Sequence, residues 1–386
     1  MVAPLTRELL RRFGGDAAEI HAYVAPGRVN LIGEHLDYNG GLVLPAAISL
    51  GITALVRPRA DRRMVLRSTT EAGAATVDLA APVTRAPDDG WAVYPKGVLA
   101  ALQARGAALG GADVLFASTL PAGAGLSSSA AIEVLTGYLA LAEAGAPPAD
   151  RADLARLCQG AENDFVGVKC GIMDQVAVAC GRAGHALRLD CATLACEAVP
   201  VPLGAARLVV LDTRRRRGLA DSKYNERRAE CARALALVRA HAETPDLAHA
   251  RPAAVEAALA GEPLLLRRAR HVVSEQARVE EAARRLRAGD LAGFGALLAA
   301  SHASLRDDYE VTGPELDAIV AAAQAAPGCL GARMTGAGFG GCAIALVAAE
   351  ALADFTAAVQ RAYHGPTGRT AGVHPVEITQ GVCRVA

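Results

Sequence analysis

Pro121–Ala142 reads PAGAGLSSSAAIEVLTGYLALA. Gly123, Ala124 and Gly125 lead through Leu126 into three serines, Ser127, Ser128 and Ser129. Beyond them Ile132, Leu135, Leu139 and Ala142 recur at helical spacing. The preceding ADVLFAST alternates through Val114 and Phe116 and predicts a strand. A strand that turns through small residues into a helix offers an anion site. First-turn amides lack intrahelical partners, and the helix dipole is positive there. The same residues also describe an ordinary glycine turn with a serine cap; three consecutive serines favour a phosphate.

This is not the commonest phosphate loop, which needs G-x-x-x-x-G-K-[ST]. The chain has three lysines, Lys96, Lys169 and Lys223, and none follows such a loop. Neither the VAIK-like strand nor the HRD loop of protein kinases is present. A nucleotide bound here would be held mainly by backbone amides and hydroxyls.

A second stretch, Pro26 to Gly41, reads PGRVNLIGEHLDYNGG. It packs Arg28, Glu34, His35 and Asp37 into ten positions beside LVLPAAI, a buried-strand pattern. Neighbouring carboxylates and an imidazole suit the hydroxyls of a sugar. The alternative is a polar hairpin whose acids pair with Arg28. Farther on, RADLARLCQGAENDF predicts a helix with Leu154, Leu157, Ala161 and Phe165 on its apolar face and Glu162 beside that stripe. Asp174 falls in the first turn of a helix beginning near Gly171, where the dipole keeps a carboxylate ionised. Capping is the ordinary role of such an Asp, but the surrounding glycines open space for a ligand.

The rest of the chain supplies a frame. An amphipathic helix runs up to Asp16, strands are predicted at ITALVRPR, RRMVLRST and TVDLAAPV, and a helix follows Trp91, which packs between loop and helix or stacks on a nucleotide. Strands at HALRLDC and ARLVVLDT enter Arg214–Arg217, which reads as a solvated loop. A helix presenting Tyr224 near its start comes next, then helical segments broken at Gly261 and Gly289, and a helix at PELDAIVAAAQ. Gly336, Gly338 and Gly341 satisfy G-x-G-x-x-G, yet the strand-like CAIALVA follows, where a dinucleotide fold needs a helix. That loop is read as lying against a ligand. A helix from Ala349 and a strand at HPVEITQ close the chain.

At 386 residues the chain suggests two domains, divided near Asp190 into residues 1–189 and 190–386. Forty basic against forty acidic residues give no reason to expect nucleic acid or an anionic membrane as a partner. The N-terminus has no apolar leader and no run is long enough to span a bilayer. Nine cysteines without CxxC spacing point to reduced thiols in a cytoplasmic protein.

Taken together, GRVNLIGEHLDYNGG, LPAGAGLSSSAA and MTGAGFGGC, in this order and spacing, resemble the three motifs of the GHMP small-molecule kinases, the first being specific to the galactokinase branch. WAVYPKGV, CGIMDQ, SKYNERR, RRARHVV and SLRDDYEV extend the resemblance over most of the chain. It implies a two-domain α+β/α/β fold: an N-terminal domain like domain 2 of ribosomal protein S5 and a ferredoxin-like C-terminal domain, with the site in the cleft between them. The implied reaction is ATP-dependent phosphorylation of the anomeric C1 hydroxyl of galactose, with Mg²⁺, in a monomer. By matching positions, Glu34, His35 and Asp37 would hold the sugar hydroxyls, helped by Tyr224, and Leu36 between them would also bind the sugar. Gly123, Ala124, Gly125, Leu126, Ser127, Ser128 and Ser129 would wrap the phosphates, and Ser68 would sit near the nucleotide. Ser129 and Glu162 would hold Mg²⁺. Asp174 would take the hydroxyl proton, while Arg28 would stabilise the transferring phosphoryl and keep Asp174 ionised. Two departures stand out. Leu36 replaces the usual Thr, which leaves the epimer open, and Arg214–Arg217 replaces a Val-x-His pattern. Arabinose, galactosamine or N-acetylgalactosamine are alternative substrates, and a non-catalytic sugar and ATP sensor is an alternative role.

Overall fold

The computed structural model describes residues 2–215 and 220–385. Among these, the strands form three sheets. The largest has the spatial order Cys383–Arg384, His21–Asn30, Pro45–Arg59, Gly111–Ser118, Arg63–Ser68, Ala74–Asp78. Its pairs are antiparallel except that between Arg63–Ser68 and Gly111–Ser118. The central strands carry continuous apolar runs because both faces are covered: Val114, Leu115 and Phe116 are all buried. Helices Val93–Ala104, Ser128–Glu143, Arg151–Ala161 and Met173–Cys180 contribute Leu99, Val134, Leu135, Leu154 and Val176 to the same core. Trp91 meets Phe116 edge to face, with ring centroids 6.0 Å apart.

The second sheet is antiparallel throughout, in the order Cys329–Thr335, Cys342–Ala348, Ala206–Asp212, Gly372–Val376. Helices Pro314–Gln324 and Leu352–Thr367 cover one face, burying Ile319, Val320, Phe355 and Val359 against Val209, Leu211, Ala343 and Ala345. Cys329–Thr335 and Cys342–Ala348 form a hairpin around the third glycine-rich stretch. No helix follows Gly341, so the loop lacks the strand–turn–helix context of a dinucleotide site.

The third sheet joins Leu42–Val43, His185–Asp190 and Cys196–Pro200. The expected boundary near Asp190 therefore falls at the turn of a hairpin. The chain end returns to the first sheet, where Cys383 and Arg384 pair with Val24 and Tyr23. One buried cluster spans both halves, from Val29 and Leu31 to Val272, Val279 and Met334. Two expected strands are shorter than their apolar runs. That through TVDLAAPV stops at Asp78, whose carboxylate accepts the Ala80 amide and turns the chain; that at HPVEITQ ends at Val376. Arg214 lies in the left-handed region at φ 56° and Arg215 pairs with Glu315, while Arg216 and Arg217 lie outside the described residues. Among the described residues no helix is long and apolar enough to cross a membrane.

Candidate active site

Arg28 sits on the strand His21–Asn30 just past a bulge at Pro26 and Gly27. Proline lacks the N–H that would continue the ladder there. Gly27 lets the serine-rich loop close on this strand: a Cβ would lie 2.5 Å from Leu120 Cδ2 and 2.8 Å from the Leu126 carbonyl oxygen. Next to it, Arg28 N–H donates to that same carbonyl at 3.2 Å.

The Arg28 guanidinium, 5% exposed, grips Asp174 in a bidentate fork. Nε donates to Oδ1 at 2.7 Å and Nη2 to Oδ2 at 2.9 Å, and the remaining Nη1 donates to the Gly125 carbonyl at 2.8 Å. The ion pair thus ties the first and second motifs to Asp174. Ser127 stands at the N-cap position of helix Ser128–Glu143, but its side chain caps nothing. Its φ of 62° turns the hydroxyl to Asp174 Oδ2, to which it donates at 2.5 Å. The ordinary serine cap is therefore not what this residue does. Leu126 and Ala124 face the core, while Gly123 and Ser128 are exposed.

A cavity of about 330 Å³ opens beside Asp174, with Arg28, Glu34, His35, Asp37, Tyr224 and Gly336 among its walls. Glu34 is buried; its Oε1 accepts from the Gly336 amide at 2.6 Å, its other oxygen from Asn30, and burial lifts its pKa to about 7. Asp37 is raised to about 6, first by burial and then by the charge of Asp174. His35, at φ 64°, places Nδ1 2.9 Å from Tyr38 Oη, and burial lowers its pKa well below the ordinary value. Tyr224 completes this wall, its ring 5.9 Å from that of His35. Leu36 is the correction. It is fully buried in the apolar core and outside the cavity lining, so the Leu-for-Thr difference is a packing difference.

On the other side of Asp174 lies a nest of acids. Helix Arg151–Ala161 widens into a π-turn at Glu162–Val166, a form frequent at functional sites. Glu162 begins that turn and accepts from Gln175 Nε2 at 2.7 Å and from the Cys170 thiol at 3.3 Å, with Ser129 close enough to lower its pKa. Burial chiefly, and the charge of Asp174, raise its pKa. Glu133, wholly buried, receives the same Gln175 amide at 3.2 Å and is lifted to about 10 by burial and the Glu162 charge. Among the described residues no three His, Cys, Asp or Glu side chains gather as a metal site of their own, so a divalent cation here would need phosphate oxygens and water as well. Magnesium takes one or two carboxylates and fills its octahedron with phosphate oxygens and water, and Ser129 with Glu162 offers a hydroxyl and a buried carboxylate beside the loop. Ser68 stands apart: its hydroxyl accepts the Thr70 and Glu71 amides at 3.1 Å, and it lies outside the cavity lining.

Sequence reasoning passed over several residues here. Glu133 and Gln175 are single polar residues in apolar helices, and the lone acid in AAIEVL was the only signal for the first. Gly167 to Gly171 and Asn225 also line the cavity. Gly171 is required by close approach, since a Cβ there would lie 2.1 Å from Asp37 Oδ2.

Known proteins match nearly the whole chain. Residues 8–58 match the galactokinase galactose-binding signature, 93–182 the N-terminal domain of GHMP kinases and 280–365 their C-terminal domain. A galactokinase of Enterococcus faecalis is 48% identical over 364 residues, 93% of this chain and 94% of that protein. One from Halalkalibacterium halodurans is 43% identical over 94% of this chain and 92% of its own. The crystal structure of Lactococcus lactis galactokinase complexed with galactose superposes with a TM-score of 0.93 at 41% identity, covering 100% of both chains. Methanococcus jannaschii mevalonate kinase, at 18% identity, TM-score 0.69 and coverage of 94% of this chain and 98% of that one, shares the fold.

Proposed function

The chain belongs to the galactokinase branch of the GHMP kinases and phosphorylates galactose from ATP, and we propose that Asp174 is the base of that reaction. The observation that carries this reading is the fork of Arg28 on Asp174, at 2.7 and 2.9 Å, on the wall shared by the sugar cavity and the serine-rich loop.

In this reading Glu34, His35, Asp37 and Tyr224 bind and orient the galactose hydroxyls so that the C1 hydroxyl faces Asp174. Carboxylates accept hydrogen bonds from hydroxyls, and buried acceptors left unpaired make the site reject poorer ligands. The Asp174 carboxylate takes the C1 hydroxyl proton as the oxygen attacks the γ-phosphorus, and the bond from that phosphorus to the β–γ bridging oxygen breaks to leave ADP. Arg28 keeps Asp174 aimed through the fork and presents positive charge where the phosphoryl group passes. Ser127 holds Oδ2 from the opposite side. Amides of Gly123–Ser129 and the N-terminus of helix Ser128–Glu143 orient the phosphates of ATP. Ser129 and Glu162 would hold Mg²⁺, which when bound offsets the charge of the phosphate oxygens.

An ADP-release assay over galactose, its C2 and C4 epimers, arabinose, galactosamine and N-acetylgalactosamine tests the assignment, with ³¹P NMR of the product. Galactose is expected to be the preferred substrate and its 1-phosphate the product. A 6-phosphate product, or preference for another sugar, would overturn it.

A further inference from the structure

The sequence RRARHVVSEQ lies on helix Pro263–Arg287, and none of its side chains lines the cavity. Three of them nevertheless end on the backbone of the sugar loop. Within that loop Leu36 N–H bonds the Gly33 carbonyl, and Asn39 and Gly41 N–H bond the Leu36 carbonyl. The Gly33 amide, the Glu34 carbonyl and the Leu42 amide turn outward to the helix. Glu275 Oε1 accepts from Gly33 N–H at 2.9 Å, Gln276 Oε1 accepts from Leu42 N–H at 2.8 Å, and His271 Nε2 lies 3.1 Å from the Glu34 oxygen. Positions 271 and 275, four residues apart, share one helical face, and 276 lies on its flank.

We propose that His271, Glu275 and Gln276 are positioning residues for galactose, so that a helix of the C-terminal half sets sugar affinity without touching the sugar. This rests on the sugar site assigned above. His271 is central. A carbonyl only accepts, so its Nε2 carries the proton, and Nδ1 lies 3.0 Å from the Ser304 hydroxyl, whose proton goes to Asp308 Oδ2 at 3.1 Å. The ring is wholly buried, and burial lowers its pKa to about 4, which keeps it neutral. Its ring lies 4.5 Å from that of Tyr309, and Tyr309 lies 4.7 Å from His35. One imidazole thus holds Glu34 by its carbonyl and reaches His35 through the Tyr309 ring, which is tilted 42° to each. Glu275 is anchored in turn by Ser301 and Arg278, both at 2.6 Å.

His271→Phe keeps the ring against Tyr309 and removes the donor; His271→Gln restores one. For the Phe variant we expect galactose KM to rise about tenfold, the scale of one buried hydrogen bond lost, with kcat and the KM for ATP within about twofold of wild type. The Gln variant should recover most of the galactose KM. Should the Phe variant fail to fold, Gln276→Leu, which removes only the acceptor for Leu42, should show the same split. An unchanged galactose KM in the folded variants, or a common change in kcat and both KM values, would overturn the positioning role. Calorimetric titration of wild type with galactose separates the two failures. No binding there would remove the sugar-site reading itself, whereas binding with an unmoved KM in the variants removes this inference alone.

Discussion

Gly171→Ala separates the needs of the fold from those of the site. A methyl group at 171 would lie 2.1 Å from Asp37 Oδ2, 2.9 Å from Cγ and 3.3 Å from Cβ. The carboxylate oxygen must retreat by at least about 1.3 Å, from 2.1 Å to the start of ordinary contact near 3.4 Å, and it belongs to the group assigned to a sugar hydroxyl. Losing a charge-assisted hydrogen bond costs about 1.5–3 kcal/mol, or about 10- to 100-fold in galactose KM. The backbone has no objection, because Gly171 is not at positive φ. Removing a glycine's unfolded-state freedom stabilises by ~0.5 kcal/mol. The expected result is therefore a Tm equal to or slightly above wild type with a large rise in galactose KM. Coupled ADP release with galactose varied at saturating ATP, and ATP varied at saturating galactose, gives both constants. A galactose KM within twofold of wild type in a folded protein would refute the placement of Asp37 on the sugar.

Other expectations follow from the same geometry. Ser127→Ala removes the hydroxyl on Asp174 but no helix cap, so kcat should fall about tenfold with Tm unmoved; a loss of Tm with unchanged kcat would return the serine to a capping role. Galactose affinity should depend on pH. Glu34 and Asp37 carry raised pKa values of about 7 and about 6 in the free site, and each accepts best when ionised. Galactose KM should accordingly rise as pH falls from 8 through 7 and again through 6; a flat KM over that range would contradict it. The linked effect on folding has the opposite sense, since an acid whose pKa is raised in the folded state gives stability below its unfolded pKa that is lost as pH rises through the folded one.

The three glycine-rich stretches were legible in the sequence because each sets small residues where polar side chains or backbone must approach closely. Arg28, Glu34, His35, Asp37 and Asp174 were legible because charged residues beside apolar strands need a reason to be there. Leu36 was misplaced because a contiguous motif suggested a common destination, whereas the left-handed turn at His35 sends its neighbour into the core. Glu133, Glu162 and Gln175 lie on separate elements of the chain, and nothing local announces that one amide joins two acids. The pairing of Cys383–Arg384 with the first sheet was hidden for another reason: a two-residue strand has no period to read. RRARHVVSEQ was visible as a motif, but its purpose depends on the distant loop it holds.

In the proposed reaction Asp174 accepts the proton of the sugar hydroxyl. Rapid-quench measurement of a single turnover, with wild type and Asp174→Asn each saturated with ATP, Mg²⁺ and galactose, tests it at the chemical step. The variant should bind both substrates, as calorimetry would show, and form galactose 1-phosphate at least ~10²-fold more slowly. Phosphoryl transfer at the wild-type rate in that variant would contradict the account.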